Sequence, residues 1–332
     1  MDLSGILVIS GLFMGWSLGG NDAANIFGTA VGTKMIRFRT AAVLCSIFVI
    51  LGATFSGAGA SKTLESLGNI HSIQMAFIIS GAAAGTVTFM SKRGLPVSTS
   101  QSIVGGIIGF NIFVGNETNI DILIKIAGTW IVTPLLAALF SATLYWGFRV
   151  KLDRSRLNLI QRDKRTRMGL VLVGAFGAYT LGANNIANVV GVFVKTAPFG
   201  LNQQALFFIG GVAIAIGVMT YSKRVMLTVG KSVFKLSPVG AFIVVLSSAL
   251  VLFVFSSEGL NGILSTLNLP QIPLVPVSQS QAVVGAIMGI GFAKGGRNLN
   301  YQVLYKIVLG WVLTPTVSIG VTWILLWISS QM

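Results

Sequence analysis

Ten apolar runs, each about as long as a bilayer is thick, dominate this chain. They are residues 3–33, 40–60, 72–90, 96–114, 122–148, 168–194, 204–221, 238–256, 276–292 and 302–330. A helix needs roughly 20 apolar residues to cross a hydrocarbon core. Lipid offers the backbone no hydrogen-bond partner, so such runs fold as helices. The expected class is all-α: a polytopic helical membrane protein. Several runs are long enough to hold a break. Composition agrees, because only 9% of the residues are charged and 54% are hydrophobic. A soluble domain carries about 25% charged residues.

The net charge of +15 invites a nucleic-acid reading, which its distribution rejects. The basic residues sit in short loops between apolar runs, as the positive-inside bias places them. Lys34, Arg37 and Arg39 follow the first run, and Lys92 and Arg93 follow the third. Eight basic residues lie between Arg149 and Arg167. Lys223, Arg224, Lys231 and Lys235 follow the seventh run; Lys294 and Arg297 follow the ninth. The alternate loops hold Lys62 and Lys195 with Glu65, Glu117, Asp121 and Glu258. One topology puts every basic cluster in the cytoplasm: both termini outside and the 149–167 loop inside. A re-entrant hairpin over 72–114 would keep that parity. The lone Cys45 excludes a disulfide framework. The first run reads as a permanent helix, not a removable signal.

The chain repeats itself. Ser17-Leu-Gly-Gly-Asn-Asp-Ala-Ala-Asn25 matches Thr180-Leu-Gly-Ala-Asn-Asn-Ile-Ala-Asn188. Pro96-Val-Ser-Thr-Ser-Gln101 matches Pro276-Val-Ser-Gln-Ser-Gln281. The run from Lys125 to Pro134 matches Lys306 to Pro315, each ending Trp-x-x-Thr-Pro. The copies lie 163, 180 and 181 residues apart. The expected organisation is a first repeat over 1–148, a basic cytoplasmic linker over 149–167 and a second repeat over 168–332. Five crossings per half invert one repeat relative to the other. Inverted repeats with broken helices or re-entrant hairpins are the pattern of alternating-access transporters, with the site at the repeat interface.

Asp22 lies within an apolar run, where a carboxylate costs about 2.5–3.5 kcal/mol on insertion scales. Such a carboxylate faces a partner or an aqueous path; the readings are a cation ligand, a proton site, or a carboxylate that caps a broken helix. Asn21, Asp22 and Asn25 supply oxygens from one copy, and Asn184, Asn185 and Asn188 from the other. Hard cations such as Na⁺ take such ligands. Glycines at 19, 20, 28, 32, 182 and 191 permit unwinding and close backbone approach. The Pro-Val-Ser blocks suit an oxyanion. Proline favours the first helical turn, and the N–H groups that follow, with the macrodipole, attract anions. Ser98, Thr99, Ser100, Ser278 and Ser280 add hydroxyls, and Gln101, Gln279 and Gln281 add amides. Plain N-capping is the competing reading of the serines. The Trp-x-x-Thr-Pro elements read as a kink and a packed indole, and His71 as a loop residue. No nucleophile is paired with a base, which argues against an enzyme.

At these residues the chain resembles the inorganic phosphate transporter (PiT) family, in a compact prokaryotic form. Gly20-Asn-Asp-Ala-Ala-Asn25 with Gly28-Thr29 is similar to its signature, and Gly182 to Asn188 to the second copy. Thr228-Val-Gly-Lys231, after Ser222-Lys-Arg-Val225, also fits. The resemblance implies import of inorganic phosphate by symport with Na⁺, or H⁺ in some members, by a homodimer in the inner (plasma) membrane. No cofactor is implied; Na⁺ is the coupling ion. One departure matters: the family usually has Asp in both signature copies, and here the second has Asn185. A sulfate permease, H⁺-coupled in one version, and an anion channel are the alternatives.

Overall fold

A computed structural model describes residues 3–93, 97–153, 158–223, 225–226, 236–296 and 301–331. Among them the chain is helix joined by turns and irregular segments, without strand. A short 3₁₀ turn, Leu3–Val8, leads into α1 (Ile9–Gly32). Then come α2 (Phe38–Ser56), α3 (Ala58–Gly68), α4 (Ile73–Lys92), α5 (Thr99–Val114) and α6 (Ile120–Asp153). The second half holds α7 (Leu159–Val190), α8 (Gln203–Thr220), α9 (Pro238–Ser256), α10 (Glu258–Thr266), α11 (Gln279–Ala293) and α12 (Tyr301–Ser330). Seven of these, α2, α4, α6, α7, α8, α9 and α12, are long and apolar enough to cross a membrane. The protein is a multi-pass membrane protein. Pro96, Arg224, the Thr228–Lys231 block, Lys235, Arg297 and residues 154–157 lie outside the described residues.

Caps set many of the boundaries. Asn158 and Gln161 form a reciprocal capping box at α7, so helix extends into the expected basic linker. Asn202, Ser237 and Ser257 cap α8, α9 and α10, each satisfying an amide that the first turn leaves free. Gly115, at φ 72°, ends α5. The expected run 40–60 divides into α2 and α3 at Gly57. A Cβ there would sit 2.3 Å from Ile186 of α7, so the chain bends where that helix presses on it.

Packing is reciprocal between the halves. α1 lies on α8 and α2 on α7; α5 lies on α12 and α6 on α11. α4 meets α1 and α12, and α9 meets α7 and α6. Lipid supplies no hydrophobic drive between helices, so close approach of small residues matters. A Cβ on Gly19 would sit 2.0 Å from the Ile214 carbonyl oxygen, and one on Gly182 2.1 Å from that of Val49. The same exchange recurs with the prolines. Cβ atoms on Gly105 and Gly285 would lie 2.4 and 2.2 Å from the carbonyl oxygens of Pro315 and Pro134. These are backbone-on-backbone contacts. The expected unwinding does not occur: α1 and α7 run unbroken through both Asn-rich motifs. Their glycines admit a neighbouring helix instead.

Two hairpins carry the site inward. α4 and α5 pack antiparallel, with the Ser102 hydroxyl donating to the Ala83 carbonyl. In the second half an irregular strap, residues 269–278, returns the chain from α10. Asn261 holds it through both the N–H and C=O of Ile272, and the Val275 N–H bonds Phe255. Lys62 pairs with Glu258 at 3.2 Å, and the Thr63 hydroxyl reaches the Leu274 carbonyl. These contacts fasten α3 of the first half to α10 and the strap of the second.

Candidate functional site

The starts of α5 and α11 converge on the Asn-rich motifs of α1 and α7. Ser98 and Ser278 are the N-caps, each hydroxyl accepting the amide three residues on, from Gln101 and Gln281 at 3.3 Å. That leaves the N–H groups of Thr99 and Ser100, and of Gln279 and Ser280, without an intrahelical acceptor. The expected proline at the first turn is corrected here. α11 begins at Gln279 and Pro276 precedes its cap, because Ser278 takes the cap position and the proline fixes the strap instead.

Asp22 sits at the centre and is 2% exposed. Three donors reach it. Asn21 Nδ2 bonds Oδ1 at 3.1 Å; Asn185 Nδ2 bonds Oδ2 at 3.1 Å; the Thr99 hydroxyl bonds Oδ2 at 3.4 Å. One carboxylate thus joins α1, α5 and α7. Asn184 pairs with the strap as a strand residue would. Its Oδ1 accepts the Val277 N–H at 2.9 Å, and its Nδ2 donates to the Val277 carbonyl at 2.7 Å. Asn188 donates to the Ser100 hydroxyl at 3.0 Å, and Ser100 donates to Val277 at 3.1 Å.

The structure therefore brings together Asp22, Asn184, Asn185, Asn188, Ser98, Thr99, Ser100, Gln101, Ser278, Gln279 and Gln281, all buried. Ser280 is half-buried and bonded to Ser278 at 3.0 Å. Asn21 is half-buried beside Asp22. Asn25 is half-buried one turn along α1, outside the network that the described residues form. Val277 is the participant that sequence reading missed. It acts through its backbone, so no residue type announces it.

Among the residues of this site, four buried amide oxygens lack a donor: Asn188 Oδ1, Gln101 Oε1, Gln279 Oε1 and Gln281 Oε1. An unsatisfied buried acceptor is costly, so the site has unused bonding capacity. Carbonyl oxygens beside a carboxylate can ligate a hard cation or accept from a hydroxyl. Free helix-start N–H groups can bind an oxyanion. Both chemistries fit within one polar centre.

Asn184→Ala isolates the Val277 N–H, while its carbonyl keeps Ser100. A buried donor left alone costs about 1–3 kcal/mol. The expected result is a lower Tm in detergent, with the protein still monodisperse.

The sequence matches the phosphate transporter family over residues 18–322, a span that takes in both motif copies and both helix starts. The chain belongs to the phosphate transporter family. Members of this family are transporters, and the protein is not an enzyme. The "putative phosphate permease" of Methanocaldococcus jannaschii is 29% identical, over 96% of this chain and 95% of that one. The sulfate permease of Bacillus subtilis is 30% identical, over 98% of this chain and 87% of that one. A solved structure of a sodium-dependent phosphate transporter aligns over 100% of both chains with a TM-score of 0.82 and 24% identity. That likeness fixes the fold.

Proposed function

We propose that the protein imports inorganic phosphate by symport with Na⁺, binding the anion between the starts of α5 and α11 and Na⁺ beside Asp22. The carrying observation is that two helix starts with free N–H groups and unpartnered buried amide oxygens join the hydrogen-bond network of Asp22, one through Thr99 and the other through Val277, Asn184 and Asn185. Phosphate presents both oxygens and a P–OH group at neutral pH, so it can use both. Sulfate has no hydroxyl to donate, and the orphan acceptors would stay unpaired beside it. The family and the names of its relatives support this substrate. The sodium dependence of the solved transporter that shares the fold supports the ion.

In this reading Ser98, Thr99, Ser100, Gln101, Ser278, Gln279, Ser280 and Gln281 hold the anion. Asn21, Asp22, Asn25, Asn184, Asn185 and Asn188 surround the cation. Na⁺ offsets the anion's charge, and one net inward charge gains about 2.3 kcal/mol per 100 mV. The halves, 1–148 and 168–332 about the 149–167 linker, act as inverted repeats, which the reciprocal packing supports. The basic loops support both termini outside, in the inner (plasma) membrane. The homodimer rests on the resemblance.

A second reading, a sulfate permease, is favoured by the Bacillus subtilis relative. Uptake of labelled phosphate into proteoliposomes decides between them, with and without an inward Na⁺ gradient and with sulfate as competitor. The expected result is uptake that requires Na⁺ and withstands sulfate. Uptake that ignores Na⁺ rejects the coupling ion, and uptake that sulfate suppresses rejects the substrate. Counterflow separates a carrier from a channel.

A further inference from the structure

We infer that the Asn185 side-chain amide occupies the role of one cation, so that this protein couples to one cation fewer than a carboxylate at position 185 would demand. The inference rests on the proposed cation site at Asp22 and names what sets its cation count. Asp22 and Asn185 hold the same place in the two motif copies, and in the fold they touch, at 3.1 Å. Both are buried, at 2% and 0% exposure.

The direction of that contact is fixed. Both Val277 backbone groups orient Asn184. Asn184 Nδ2 then donates to Asn185 Oδ1 at 2.6 Å, and Asn188 Nδ2 adds a second bond at 3.4 Å. With its oxygen facing two donors, Asn185 turns its NH₂ to Asp22. A carboxylate there would meet the Asp22 carboxylate in a buried place. Two such groups do not both stay ionised unless a cation or a proton lies between them. The amide removes that need with a hydrogen bond inside the protein. It leaves Asp22 as the one carboxylate of the centre.

Asn185→Asp tests this with the purified full-length protein. Tm is measured against NaCl concentration, with choline chloride holding ionic strength constant, for the natural chain, Asn185→Asp and Asn185→Leu. Each ion bound only by the folded state adds up to about tenfold to the folding constant per tenfold rise in concentration. The expected result is a steeper Na⁺ dependence for Asn185→Asp, by about one ion, and no steepening for Asn185→Leu. Equal slopes for the natural chain and Asn185→Asp would overturn the inference. So would an Asn185→Asp protein that stays unfolded at high Na⁺, since no cation would then be repairing the pair. The readout does not depend on transport. If phosphate uptake by the natural chain proves Na⁺-independent, the functional reading fails by itself while the slope comparison still stands.

Discussion

Asp22→Asn is expected to reduce Na⁺-driven phosphate uptake to the level of empty vesicles while the amount of folded protein is maintained. Asp22 accepts from Thr99, Asn185 and Asn21. Asparagine keeps one acceptor oxygen and puts an NH₂ at the other. That NH₂ must then face a donor, Asn21 on one side or Asn185 and Thr99 on the other. Hydrogen bonds to a charged group contribute about 1.5–3 kcal/mol each. Their weakening is expected to lower Tm and does not itself set ion affinity. The formal charge that would hold Na⁺ is lost as well. The fold should persist, because helices α1 and α7 are held at Gly19 and Gly182 by backbone packing. Uptake into vesicles and the yield of monodisperse protein measure the two halves of this expectation. Unchanged uptake would remove Asp22 from the cation site.

Gly182→Ala is expected to have a large effect on folding. Its Cβ would lie 2.1 Å from the Val49 carbonyl oxygen and 2.9 Å from the Ala53 nitrogen. Both are backbone atoms of α2 and cannot rotate away. Forcing an extra methyl into a tight core costs about 1–3 kcal/mol when side chains can shift; here two helices must separate. The expected outcome is loss of monodisperse protein in detergent. Gly285→Ala, opposite the Pro134 carbonyl at 2.2 Å, should behave the same way. Gly128→Ala and Gly320→Ala are the controls. Nothing lies within 4 Å of a Cβ at either, and alanine favours helix over glycine by about 1 kcal/mol. Both should leave the protein intact. Equal behaviour of Gly182→Ala and Gly128→Ala would mean the interhelical contact is dispensable.

The structure gives each motif a partner that sequence comparison within the chain does not name. The Trp-x-x-Thr-Pro elements, expected as kinks, also present the Pro134 and Pro315 carbonyls to glycines of the opposite half. Gly105 and Gly109, with Gly285 and Gly289, repeat a small-x-x-x-small spacing in α5 and α11. That spacing is a legible signal for close helix approach, but it does not say which helix approaches. The position of Pro276, before rather than inside α11, follows from a cap choice made by Ser278.

The sequence alone determined the helical class, because lipid forces each backbone group to bond within its own segment. It likewise shows the duplicated motifs, and it singles out Asp22, the asparagines and the Ser-rich blocks as candidate site residues, because polar groups are costly in lipid. What the tertiary structure decided is every contact between residues far apart in the chain. Asn184 meets Val277 across 93 residues, and Asn185 turns its amide nitrogen to Asp22 only because Asn184 and Asn188 occupy its oxygen. Such bonds depend on which helix faces which, and on the direction in which a hydrogen-bond chain closes. Residue type records neither.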